Sequence, residues 1–326
     1  MIRKPFVLAL ILMTSLVVVS GCSFNLSKLS SKIPSRERSE AVSETAYNDN
    51  SEAQSVATKS YEVLQKNLNN EINQVVDEIM AGRWNEAIVI GEAAYKMIQD
   101  EQSALVNSTV YDPYGQNAYG YNATKEKLYE VLSAAYDFKY HLEGLNNDEK
   151  EKYVRTAKSH FDINPADPFK KLALAKALTD SGDLNQGVRL LGELYNSPYR
   201  EKDITETYAW ALYLSGKKDE AYNIYKAFYP QAETLVQLFH SAEVIEEVDK
   251  ALGLNLYNGV VGAANNLMVK GPNVSNMSAQ TYIDLVRTES QNAMQRLLAG
   301  GFKLNSQYNI RKVDPIVKSI VKLSSE

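Results

Sequence analysis

Between Pro165 and Pro230 the apolar positions fall into two pairs of helical stripes, and the second pair repeats the first at an offset of 34 residues. In the first copy Leu174, Ala175 and Leu178 precede Ser181-Gly182-Asp183-Leu184-Asn185, and Leu191 and Leu194 follow it. In the second, Tyr208, Ala209 and Leu212 precede Ser215-Gly216-Lys217-Lys218-Asp219-Glu220-Ala221, and Tyr225 and Phe228 follow. Apolar residues recurring every third or fourth position predict helices. A glycine that closes one stripe and opens the next predicts a reversal through left-handed backbone at Gly182 and Gly216. One such hairpin cannot bury its own apolar face, so repetition at this period predicts hairpins stacked on one another.

The pattern extends toward the N-terminus. A long helix is expected from about Ser51, with Val56, Leu64, Leu68, Ile72, Val75, Val76 and Ile79 on one stripe, reversing at Ala81-Gly82-Arg83-Trp84. A further hairpin carries Leu128, Leu132, Ala135 and Tyr136, then Tyr153, Ala157 and Phe161, with a turn in Asn146-Asn147-Asp148-Glu149. That turn has no glycine at the repeat position, and asparagine is expected to take the left-handed conformation there. Between the first two hairpins, Thr109 to Tyr121 holds turn residues and four tyrosines, including Tyr111 and Tyr114. A loop of this composition is either a recognition element or a packed cover for the helices beneath. Beyond Pro230 the repeat is expected to fail. Helices are predicted at about 232–252, 256–269, 278–299 and 312–323, separated by Gly253, by Lys270-Gly271-Pro272-Asn273 and by Gly300-Gly301.

The period, the turn glycines, the paired small residues Ala175 and Ala209, and Pro165 between units resemble the tetratricopeptide repeat family. The resemblance implies an all-α, right-handed superhelical stack of hairpins over 51–230, with a divergent helical cap or module over 231–326. It also implies protein binding in a groove lined by the first helix of each hairpin. In that register the groove-facing residues are Lys176, Thr179, Glu206, Trp210 and Tyr213.

The N-terminus changes where such a scaffold would work. Arg3 and Lys4 precede an apolar run from Phe6 to Val19, too short for a confident membrane span. The run ends in Val19-Ser20-Gly21-Cys22, which resembles the lipobox of bacterial lipoproteins and implies cleavage after residue 21 and lipid on Cys22. Cys22 is the only cysteine, so no intramolecular disulfide can form. Residues 22–50, rich in Ser, Asn and charge, read as a tether able to span about 30 Å on average. If the cell has two membranes, Ser23 resembles the pattern sorted to the outer one.

Loss of residues 1–21 removes Arg3 and Lys4 and no acid, which moves the formal charge from −5 to −7. An acidic chain without a basic stripe is unsuited to nucleic acid, whose phosphates require clustered cations. His141, His160 and His240 are the only histidines, none paired with another at one helical spacing, and no metal, cofactor or catalytic constellation is expected. The expected function is therefore a lipid-anchored envelope scaffold that binds another envelope protein or a peptide segment, without catalysis of its own. Two alternatives are a glycan-binding or glycan-cleaving envelope protein and a structural spacer.

Overall fold

The computed structural model describes residues 63–106, 116–269, 277–308, 310 and 313. Cys22, Tyr111 and Tyr114, the signal and tether segments and the helix expected at 312–323 lie outside these residues. The described chain forms eleven α-helices: α1 over 63–80, α2 (Trp84–Val106), α3 (Gln116–Leu142), α4 (Asn147–Ile163), α5 (Pro168–Ser181), α6 (Leu184–Tyr195), α7 (Lys202–Leu214), α8 (Lys218–Phe228), α9 (Leu235–Glu246), α10 (Lys250–Val269) and α11 (Met277–Ala299). Among the described residues there is no β-strand, and no helix is long and apolar enough to cross a membrane.

Local chemistry sets the helix ends. Asp167 caps α5 by accepting from the Phe169 amide at 2.8 Å, and Pro168 occupies the first turn, where a missing N–H costs nothing. Gly182 (φ 97°) and Gly216 (φ 85°) both reverse the chain through left-handed backbone, as expected. The bonding is the same at each: the Asp183 amide reaches Leu178 O and the Lys217 amide reaches Leu212 O, both at 2.9 Å, closing the last turn of the helix.

Consecutive helices pack on one another from α2 to α11. Contacts between α5 and α7, and between α7 and α9, place the first helices of successive hairpins in one layer, and α11 returns to touch α3 and α9. A single apolar core runs through the stack, from Leu64 on α1 to Leu297 on α11.

Several expectations are corrected. The turn between α3 and α4 does contain a left-handed glycine, Gly144 (φ 83°), two residues before Asn146. Asn146 instead forms a reciprocal capping box with Glu149, so the reversal is longer than its counterparts and its glycine falls out of the period. The segment Gln116–Tyr121, expected within a loop, already belongs to α3.

Past Pro230 the spacing of 34 recurs in side-chain contacts between α7 and the α9 region. Asp203 accepts from Gln237 at 2.8 Å, Glu206 pairs with His240 at 2.5 Å, and the Tyr213 hydroxyl donates to Glu247 at 2.6 Å. Each pair is 34 residues apart, so α9 stands one period beyond α7. Gly253 is not a helix breaker but lies inside α10. A Cβ there would stand 2.8 Å from Glu246 Cα, so this glycine permits the close approach of α9 and α10.

Candidate functional site

The layer formed by α3, α5, α7 and α9 carries polar side chains on the side it presents to α11. Helical spacing puts them there: Asp137 and His141 on α3, Lys176 and Asp180 on α5, Glu206 and Trp210 on α7, His240, Glu243 and Glu246 on α9, each four or fewer residues from its neighbour. The 34-residue period then aligns Lys176 with Trp210 and Glu206 with His240 in adjacent hairpins. The result is a continuous polar seam, most of it buried.

At one end the Lys176 ammonium donates to Asp137 Oδ1 at 2.5 Å, and His141 Nε2 lies 3.0 Å from the same oxygen. Burial would raise the Asp137 carboxyl, but Lys176 and then His141 outweigh it and hold the group below the usual carboxylate range. Burial takes His141 down to about 4, against the pull of Asp137. Asp180 goes the other way, pushed up to about 8 by burial, which the Lys176 charge opposes and those of Asp137 and Glu206 reinforce.

Asp137, His141 and Asp180 bring ligand-type atoms within 4.8 Å of one another. Sequence reasoning did not pick out Asp137 and His141, four residues apart on α3, and only the fold adds Asp180. A cation here would have to displace both the Lys176 ammonium and a proton. A divalent cation needs ionised carboxylates, whereas the Lys176 ammonium already sits on Asp137 and Asp180 is held protonated at neutral pH.

In the middle of the seam, Trp210 stacks on His240 with ring centroids 4.0 Å apart and planes 7° from parallel. Glu206 accepts from the Tyr225 hydroxyl at 3.1 Å as well as meeting His240. Further along, Glu246 is held by both Arg296 Nη atoms of α11, at 2.7 and 3.0 Å, and by the Tyr257 hydroxyl at 3.1 Å. The sequence matches no family model and no curated protein. The reading of the site therefore rests on its geometry.

Lys176, Glu206 and Trp210 join the seam but are not open to solvent, whereas Thr179, expected beside them, packs against Gly187 of α6 and donates to Ala175 O. Trp210 is only 5% exposed and Glu206 3%. Tyr213 alone is part-exposed, at the rim, where Glu247 bridges its hydroxyl and the Lys218 ammonium. The exposure expected of a free groove is thus corrected: His240 of α9 stacks on Trp210, and α11 lies against α3 and α9. Tyr282 of that helix sits with its ring 6.3 Å from His141, and its phenol is raised by burial and by the charges of Glu243, Glu206 and Asp137. Val286, Ser290, Ala293 and Leu297 continue the same buried stripe.

The cover is chemically incomplete. Asp180 Oδ2, Trp210 Nε1, His240 Nε2 and Glu243 Oε2 on the layer, and Tyr282 Oη and Ser290 Oγ on α11, are enclosed without a hydrogen-bond partner. Each such group costs about 1–3 kcal/mol relative to a satisfied one. Sequence reasoning found the residues of α5 and α7 because their hairpins are clear copies, and did not join His240, Glu243 and Tyr282 to them because α9 lacks the turn glycine that marks a copy and α11 is out of the period.

Two cavities lie away from the seam. One of 380 Å³ is lined by Asn164, Pro168, Phe169, Tyr199 and Ile204 among others. A larger one of 670 Å³ lies between α10 and the chain after α11, with Asn255, Asn258, Asn266, Asn305, Ser306 and Tyr308 in its wall.

Proposed function

We propose that this chain is a lipid-anchored protein of the bacterial cell envelope whose tetratricopeptide-like, right-handed superhelix docks a segment of another envelope protein, with no catalysis of its own. The lipid is carried by Cys22 and the docking side by Lys176, Glu206, Trp210 and Tyr213. One observation carries the docking reading: the position-equivalent Lys176 and Trp210 of successive hairpins lie in one polar seam, and a helix, α11, already lies against the α3 and α9 parts of that layer. A surface that seats one helix has the width and the apolar strip to seat another.

The test is a photocrosslinking residue placed at Tyr213, on the rim, and a control at Arg189, exposed on α6, in the lipid-anchored chain within its own cells. A distinct polypeptide joined from position 213 and absent from 189 is the expected result. Equal capture from both positions, or no polypeptide from either, would reject the scaffold. The anchor is tested separately by mass spectrometry of the mature N-terminus: an unmodified Cys22 in membrane-derived protein contradicts it.

The 670 Å³ cleft supports a second reading, glycan binding. Among the described residues none in its lining is charged, and side-chain amides both donate and accept, which suits the hydroxyls of a neutral sugar. Gly262 lines it with open space where a side chain would project. Titration with chitotetraose, and its loss in Gly262→Leu, would establish this reading; no heat or shift up to millimolar sugar would remove it.

A further inference from the structure

We infer that the 380 Å³ cleft between the α4–α5 and α6–α7 turns is a binding site for a quaternary ammonium compound of the choline class. The site is independent of the docking and glycan readings, since the cleft shares no lining residue with the seam or with the 670 Å³ cavity.

The cleft is a product of the repeat. Asp167 and Glu201, 34 residues apart, stand at the starts of α5 and α7, and the space between their two turns is lined by Pro168 and by the buried Ile204. Two aromatic side chains line it as well, and both keep much of their surface in water: Phe169 is 40% exposed and Tyr199 59%. Apolar rings left uncovered beside a concave space are available to a ligand.

The charge in the cleft is of one sign. Asp167 and Glu201 are acidic, and among the described residues the lining holds no base. Four bases flank these turns, and each is committed elsewhere: Lys170 to Glu126 at 2.6 Å, Lys171 to Glu193, Lys202 to Glu233, and Arg200 to the Tyr195 hydroxyl at 2.6 Å, with its guanidinium 3.8 Å from the centre of that ring. The two helix starts supply about half a positive charge each, which leaves the carboxylates in excess by about one charge. Glutamate is a poor capping residue, and the Glu201 side chain makes no capping bond. Its carboxylate, unlike that of Asp167, is therefore left to meet a cation.

The wall of the cleft decides which cation. A primary ammonium is strongly hydrated and needs acceptors for three donors. Asp167 Oδ1 already accepts from the Phe169 and Lys170 amides, at 2.8 and 3.4 Å, and Asn164 Oδ1 from the Ala166 amide at 3.3 Å, so few acceptors remain. A quaternary ammonium donates no hydrogen bond. It is held by aromatic rings and by a nearby opposite charge, which Phe169, Tyr199 and Glu201 supply together.

The experiment uses the full chain in a detergent free of quaternary ammonium groups. Choline is the probe, and the control is its uncharged isostere, the alcohol in which a tert-butyl group replaces trimethylammonium. Calorimetry reads affinity, and saturation-transfer NMR reads contact with the methyl protons. Choline should bind about tenfold more tightly than the alcohol. Tyr199→Ala should weaken choline binding about fivefold, and Glu201→Gln should bring choline and the alcohol to within about threefold of each other. Both side chains are exposed and Glu201 caps nothing, so each variant should melt as the native chain does. Absence of choline binding at tens of millimolar, equal affinity of the native chain for the two probes, or choline binding that either variant leaves unchanged would each overturn the inference.

Discussion

At the residue scale, the seam makes stability depend on pH in a way that separates its two titrating ends. Asp180, raised to about 8 from an ordinary 3.8, keeps in the native state a proton that the unfolded chain releases. Its contribution to stability therefore falls as pH rises through that window. His141, lowered to about 4 from 6.5, does the reverse: the unfolded chain binds the proton, so stability rises with pH between those values. Up to about 6.5 the two slopes oppose each other, and above it the Asp180 slope remains, worth up to about 2 kcal/mol by pH 8. Asp180→Asn should remove that part of the decline. Urea unfolding at pH 6.5 and pH 8 measures it, and an unchanged decline would mean that Asp180 is ionised in the native protein. Trp210 gives a second outcome at this scale. Its stack on His240 and its burial make Trp210→Ala a core deletion, with an expected loss of about 3–5 kcal/mol in the same assay. A loss below 1 kcal/mol would restore it as a surface anchor. The 34-residue register related Trp210 to Lys176, but its burial was not legible, because it depends on His240 of a helix whose place beside α7 no turn glycine marks.

At the element scale, the hairpins were readable wherever turn chemistry coincided with apolar periodicity. Gly182 and Gly216 carry that coincidence, and the structure gives both a positive φ and the same closing bonds. Gly216 has nothing within 4 Å of where a Cβ would project, so a side chain meets no neighbour and the cost of substitution is conformational. Gly216→Val should therefore lower stability by about 1–2 kcal/mol, and Gly216→Asn by clearly less, since asparagine tolerates the left-handed region. Thermal melts of the two variants decide this; equal melting temperatures would exclude backbone conformation as the cause. The misread elements have a common physical origin. Gly144 stands outside the period because an asparagine capping box lengthened the turn, and α9 begins with a threonine box, in which Gln237 answers Thr234, instead of following a repeat-like motif. Gly253 was read as punctuation because sequence cannot distinguish a glycine that bends the chain from one that admits a neighbouring backbone, here that of Glu246.

At the scale of the whole molecule, α11 changes what kind of object the stack is. An array in which each helix meets only its neighbours transmits a defect locally, and its ends respond independently. By lying on α10 while touching α9 and α3, α11 connects hairpins that are otherwise joined only through those between them. Val286 is fully buried in its stripe, between Tyr282 and Ser290 on the same face. Val286→Asp places a carboxylate in a seam that already holds an excess of them, so it should unseat α11 without altering any hairpin turn. Hydrogen exchange should then quicken at the C-terminal end of α3, around His141, and in α10, while α6, which packs between α5 and α7, keeps its protection. The thermal transition should also broaden as the two ends uncouple. If exchange quickens uniformly, the stack is a single cooperative body that α11 merely completes. If it quickens in α10 alone, the contact with α3 contributes nothing to stability, and the side that Lys176 and Trp210 share is closed by α9 and α10 instead of by α11.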